Sequence, residues 1–171
     1  MGIGYRVVLY LHVKTLAKKW YDPFDVFLSA DQDRAEKTIS AGLAVPESQF
    51  TYAKGRIVLY SADPNMVIGG QTLKQNNFTK VAIANPATAP YGTAAVEVMK
   101  YLNTYQELNE KIVRGNNIAQ AFQFVHTKNA EIGFVALSQV INNDEGSRWV
   151  IPNELYSQIA QDAVLLKKGA T

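Results

Sequence analysis

The chain has no cysteine at all among its 171 residues. That excludes disulfide bridges, thiolate metal centres and cysteine nucleophiles, and leaves the redox compartment undefined. It has only two histidines, His12 and His126, far apart and without metal-ligand spacing to any carboxylate pair. Charge of either sign is in short supply: 17 Lys and Arg against 15 Asp and Glu give a net +2, spread along the sequence. A nucleic-acid footprint needs clustered basic residues, so none is expected. No apolar run approaches the roughly 18 residues that span a bilayer, so no membrane insertion is expected.

What the chain does have is apolar content of 47% with 19% charged residues, the balance of a globular protein. Its length suits one ordinary domain or two small lobes. Strand and helix signals alternate. Arg6 to Leu11 reads as a strand rather than a signal sequence, because His12 and Lys14 interrupt it and no small-residue cleavage site follows. No secretion address is therefore expected in the chain as written.

Thr15 to Tyr21 reads as a short helix stopped by Asp22-Pro23. Phe24 to Leu28 is a strand, followed by a helix capped by Ser29 or Asp31 and ended at Gly42. Phe50 to Gly55 reads as a crossover. Strands are then expected at Arg56–Ser61, Lys80–Ala84, Ile112–Val113, Glu131–Ala136, Trp149–Ile151 and Ala163–Leu166. Helices are expected from about Gly92 to Leu102, with Ala95, Val96, Met99 and Leu102 on one face, and from Ile118 to Thr127. This βα order predicts an α/β fold with mostly parallel sheets and flanking helices.

Two helix starts carry the functional reading: Pro90-Tyr91-Gly92 and Gly115-Asn116-Asn117-Ile118. Both follow strands and so belong at the carboxyl edge of a sheet, where open α/β folds bind ligands. A helix N-terminus leaves amides unpaired and carries partial positive charge, which suits an anion. No basic side chain lies within the Pro-Tyr-Gly turn, so the anion would be held by neutral donors. Tyr91 could donate its hydroxyl, and Ile118 only its backbone N–H. The plainer alternative is an ordinary capped helix at each place, with Tyr91 and Ile118 as packing residues.

No catalytic constellation emerges. Glu107, Glu110, Asp144 and Glu145 lie in polar surroundings, and Ser61, Ser138 and Ser147 lack a nucleophile-elbow context. Gly69-Gly70 is not followed by the Lys and hydroxyl residue of a phosphate loop, and His126 suits a helix C-terminus. The chain is not expected to be an enzyme.

The segments Phe24–Asp31, Gly42–Pro46, Ala82–Pro86, Ala89–Gly92, Asn117–Ala121, Gly133–Ser138 and Gln161–Leu166 closely resemble the molybdate-binding proteins of bacterial molybdate ABC importers. The likeness runs from about Thr15 to Gly169 in the family's order. It implies a type II periplasmic-binding-protein-like fold of two lobes that takes molybdate or tungstate in an interlobe cleft, without a cofactor. It also implies delivery to a membrane permease, and a periplasmic location. Chain expressed as written, without an export signal, would be cytoplasmic.

By position, the resemblance assigns Tyr91 and the Ile118 N–H as oxyanion ligands, with Gly92 and Asn117 as secondary candidates. No protein side chain is expected to bind a metal ion. Some relatives place a ligand tyrosine where this chain has Ala136, and this sequence resembles the subgroup that uses the tyrosine of the Pro-Tyr-Gly turn.

The departures lie near the ends. The family's first strand, ending in a hydroxyl ligand, has no counterpart before Arg6, and its serine-rich turn reads His12-Val13-Lys14 here. The expected organisation is a partial first lobe over residues 1–52, lacking its first strand–helix unit, a complete second lobe over 53–161, and a return strand over 162–171. Impaired binding is the corresponding expectation. The rival readings are a degenerate or frameshifted fragment that binds nothing, or a protein-interaction module.

Overall fold

The computed structural model describes residues 7–9, 24–143 and 145–167. The expected helix at Thr15–Tyr21, the His12-Val13-Lys14 turn and Asp144 lie outside the described residues. The chain divides into two compact units, Met1–Lys54 with Ala160–Thr171, and Gly55–Ile159.

In the first unit, strands β1 (Val7–Leu9), β2 (Val26–Leu28), β9 (Ile159–Leu165) and β3 (Phe50–Gly55) form a sheet in the order β1-β2-β9-β3. β1 runs parallel to β2, while β9 pairs antiparallel with β2 through Phe27 opposite Val164. Helix α1 (Gln32–Ser40) begins at Asp31, whose carboxylate accepts the Arg34 N–H, and ends before Gly42 at φ +72°. Both ends follow the capping chemistry legible in the sequence. Phe27, Ala35, Ala44, Val164 and Leu166 form this unit's small core.

The second unit holds a five-stranded sheet, ordered β6-β5-β7-β4-β8. Its strands are β4 (Ile57–Ser61), β5 (Val81–Ala84), β6 (Ile112–Gly115), β7 (Ile132–Ala136) and β8 (Ser147–Val150). β5 is parallel to β6 and β7, whereas β4 runs antiparallel to β7 and β8. The fold is thus mixed α/β, with a parallel block flanked by helices and antiparallel strands joined to it at β4.

Strands β4, β5 and β7 are buried along their whole length, which explains their continuous apolar runs. Because side chains alternate across a strand, Ile57, Leu59, Val81, Ile83, Ile132 and Phe134 join one core. Helix α3 (Pro90–Tyr101) supplies Ala94, Ala95, Val98 and Met99 to that core. Val58, Tyr60, Ala82 and Val135 face the other way and pack with Val125 of helix α5 (Ile118–His126). Short helices α2 (Gln71–Gln75), α4 (Tyr105–Leu108) and α6 (Leu137–Val140) fill the connections.

Several sequence expectations are corrected. Phe50–Gly55 is a strand, not merely a crossover, and β9 begins at Ile159 rather than near Asp162. The α3 helix starts at Pro90, two residues before Gly92, because a proline suits the first helical position. Its most deeply buried face is Ala94, Ala95, Val98 and Met99, with Val96 and Leu102 only half-buried. The three helices of four or five residues are too short to show a helical period.

Candidate oxyanion-binding edge

The parallel block of the second unit brings three carboxyl ends side by side. Ala84, the last residue of β5, pairs with Gly115, the last residue of β6. One residue further on, the Asn85 N–H donates to the Gly115 carbonyl at 2.7 Å. β7 lies on the other side of β5 and ends at Ala136. Helices α3, α5 and α6 start after these strands, so the two helix starts singled out in the sequence share one sheet edge.

The α3 start is built for tight packing. Asn85 accepts backbone N–H bonds from Thr88 at 3.1 Å and Ala89 at 2.9 Å, which closes the turn. Pro90 occupies the first helical position and has no N–H to offer. The Gly92 and Thr93 N–H groups both donate to the Ala89 carbonyl, at 2.9 and 3.2 Å. Gly92 is there for close approach: a β-carbon would come 2.8 Å from the carbonyl carbon of Ala84 and clash with its oxygen. Tyr91 is only 8% exposed and belongs to the large core, with its phenol lying over Gly55.

The α5 start is the better donor end. Asn117 takes extended backbone (φ −151°), and its side-chain oxygen accepts the Gln120 N–H at 2.9 Å. Gln120 reaches back so that its Oε1 accepts the Asn116 N–H at 2.6 Å, a reciprocal cap. The Ala121 N–H is taken by the Asn117 carbonyl at 3.2 Å. That leaves the Ile118 and Ala119 N–H groups without an acceptor among the described residues. The Ile118 side chain meanwhile packs against the core, so its backbone is the only polar part it presents. Gly115 lets α5 sit this close, since a β-carbon there would lie 2.8 Å from the Ala121 nitrogen.

A third group, which the sequence reading missed, joins these pieces. Gln139, on α6, accepts the Ala136 N–H at 2.9 Å through Oε1 and donates from Nε2 to the Ile118 carbonyl at 3.4 Å. Only a glutamine three residues past a strand end marks it in the sequence, which is no signal. Gly55 was equally hidden, for its role depends on where the Tyr91 ring lies.

Titratable groups play other parts. Burial raises the Glu131 carboxyl, but hydrogen bonds from the Thr79 hydroxyl and the Thr79 and Lys80 N–H groups outweigh it and lower the pKa. This cluster lies at the amino end of β5, opposite the candidate edge. His126 is exposed and stacks on Phe122, with centroids 5.5 Å apart. Ser61 and Ser147 donate to the Glu131 and Asp63 carbonyls. Among the described residues, no group of three His, Cys, Asp or Glu could hold a metal ion. No helix among the described residues is long and apolar enough to cross a membrane.

Residues 12–171 match the family model of bacterial extracellular solute-binding proteins. The chain is 53% identical over 148 residues to the molybdate-binding protein ModA of Rhodobacter capsulatus, covering 86% of this chain and 59% of that protein. It is 52% identical over 151 residues to ModA of Azotobacter vinelandii, covering 86% of this chain and 60% of that protein. It therefore spans about three-fifths of these curated relatives. Among solved structures, the periplasmic molybdate-binding protein of Azotobacter vinelandii superposes with a TM-score of 0.84 at 38% identity. That superposition covers 92% of this chain and 70% of the other.

Proposed function

This chain belongs to the bacterial extracellular solute-binding protein family, with the periplasmic-binding-protein fold, and from that premise we propose that it binds a molybdate-class tetrahedral oxyanion for import. Tungstate has the same shape and charge and is taken by the same donors. The Tyr91 hydroxyl and the Ile118 N–H are the ligands in the second unit, with Asn117 and Gly92 holding the two helix starts in place. A periplasmic location and an ABC permease as recipient complete the proposal.

The observation that carries it is the α5 start. Side-chain capping satisfies the Asn116 and Gln120 N–H groups there, and the first helical bond takes the Ala121 N–H, while Ile118 and Ala119 keep theirs without an acceptor among the described residues. Two adjacent amides at the positive end of a helix match an oxyanion that must shed its water. Hydrogen bonds to a charged partner contribute about 1.5–3 kcal/mol each, so neutral donors suffice without a counter-charge. Their fixed direction favours an anion of one size over a smaller or larger one. This reading needs no catalytic group, in keeping with a family that binds solutes.

The test is a titration of the nitrogen-15-labelled chain with sodium molybdate, followed by amide shifts. The Ile118 and Ala119 resonances should move together and saturate, and sodium sulfate at equal ionic strength should move them less. Identical responses to both salts, or none at millimolar molybdate, would sink the reading.

A further inference from the structure

We propose that Gln139 is a positioning residue for the oxyanion site, clamping the first turn of α5 to the end of β7. The inference rests on the oxyanion reading for its functional half. Its geometric half stands on the two hydrogen bonds that one carboxamide makes.

Gln139 Oε1 accepts the Ala136 N–H at 2.9 Å, a bond between a side chain and the strand end three residues before it. That fixes which way the carboxamide faces, because only its oxygen can accept. The amino group then points at the Ile118 carbonyl, 3.4 Å away and 21 residues distant in sequence. Gln139 is half-buried, so neither end is simply lost to water.

The Ile118 carbonyl belongs to the same peptide plane as the Ala119 N–H. A hydrogen bond to that oxygen therefore restrains the rotation of the plane and the direction of the N–H. Donation to the oxygen also polarises the peptide unit, which makes its N–H a stronger donor. Asn117 and Gln120 hold the helix start from the side of its own loop. Gln139 holds it from α6, anchored to the end of β7. Donors that already point at the anion need no ordering when it binds, so affinity rises without a new ligand contact.

Two variants separate the halves of the clamp. Gln139→Leu removes both bonds, whereas Gln139→Glu keeps an acceptor for Ala136 N–H and loses the donor to Ile118. In the ligand-free chain, hydrogen exchange of the Ala136 amide should speed up about tenfold in Gln139→Leu and stay near wild type in Gln139→Glu. The Ile118 and Ala119 amide resonances should shift in both.

Gln139→Leu leaves the buried Ala136 N–H without its acceptor and so lowers the melting temperature of the ligand-free chain, but the molybdate affinity of the folded fraction should also fall, by about 5–20-fold. A merely structural role would lower the melting temperature and leave the affinity of the folded fraction alone. Unchanged Ala136 exchange in Gln139→Leu overturns the clamp. Wild-type affinity in that variant overturns its role in binding while leaving the oxyanion reading standing. Failure of the wild-type chain to bind molybdate sinks the oxyanion reading and the functional half with it, and the exchange measurement still decides the clamp.

Discussion

Gly55 lies directly beneath the phenol of Tyr91: a β-carbon at residue 55 would sit 2.9 Å from Tyr91 Cζ and 3.0 Å from a methyl of Ile159. The ring can occupy this place only because residue 55 has no side chain. The hydroxyl proposed to meet the oxyanion is therefore held by a glycine at the start of the second unit.

Gly55→Ala should displace the Tyr91 ring and cost about 1–3 kcal/mol, the usual range for overfilling a packed site. Tyr91→Phe removes the hydroxyl that the new methyl meets. The cost of Gly55→Ala should then shrink by more than ~0.5 kcal/mol in that background, since groups in contact are not additive. Urea unfolding of the four proteins checks this. Simple additivity would mean that the phenol does not rest on Gly55.

Gly92→Ala sets two effects against each other. In an exposed helix interior the change gains about 1 kcal/mol. Here the β-carbon meets the Ala84 carbonyl group and lies 2.8 Å from Asn85 C, and backbone atoms of a central strand cannot swing away. The clash wins, and a net loss of about 1–3 kcal/mol is expected. A raised urea midpoint would show that α3 shifts freely off the end of β5.

The share of this structure legible beforehand follows from physics. Strands such as Ile57–Ser61 and Ile132–Ala136 are buried on both faces, so they stand out as unbroken apolar runs. The α1 caps were equally legible, since Asp31 and Gly42 act on near neighbours. The Pro-Tyr-Gly turn is legible as a helix start, but most of the free amides expected there for an anion are not available. Pro90 lacks an N–H, and Ala89 absorbs the next two amides beyond Tyr91. That accounting depends on local hydrogen bonds that residue types alone do not fix. Gln139 lay out of reach for another reason: its partner Ile118 is 21 residues away, and the two meet only because β6 and β7 flank β5 in one sheet, which no local pattern encodes.

Asn117 separates helix capping from anion binding. Asn117→Asp keeps an oxygen for the Gln120 N–H and adds a negative charge at the helix N-terminus, which favours the helix by about 0.3–1 kcal/mol. The same charge repels an oxyanion at the neighbouring Ile118 amide. Stability should hold or rise while molybdate affinity falls about tenfold, equivalent to about 1.4 kcal/mol. Thermal unfolding and calorimetric titration read the two effects independently. Affinity unchanged by the added charge would place the anion away from α5.

Asp162 should contribute to the acid limb of the chain's stability. It is 2% exposed and accepts from Thr51 Oγ1 at 2.7 Å, Gln49 Nε2 at 2.8 Å and Gln32 Nε2 at 3.2 Å. Burial alone would raise its carboxyl, but these donors favour the charged form and hold the pKa below the ordinary 3.8. A carboxyl depressed in the folded state binds its proton more readily when unfolded. Its contribution is thus complete above about pH 3.8 and is lost as the pH falls through the lower folded value. Asp162→Asn keeps one acceptor oxygen but turns the other into a donor facing the donors of Gln32 and Gln49. It should lower stability by about 1–3 kcal/mol at neutral pH and flatten the decline below pH 4. Urea midpoints measured from pH 2.5 to 7 check both, and an equally steep acid limb in the variant would assign that decline to other carboxylates.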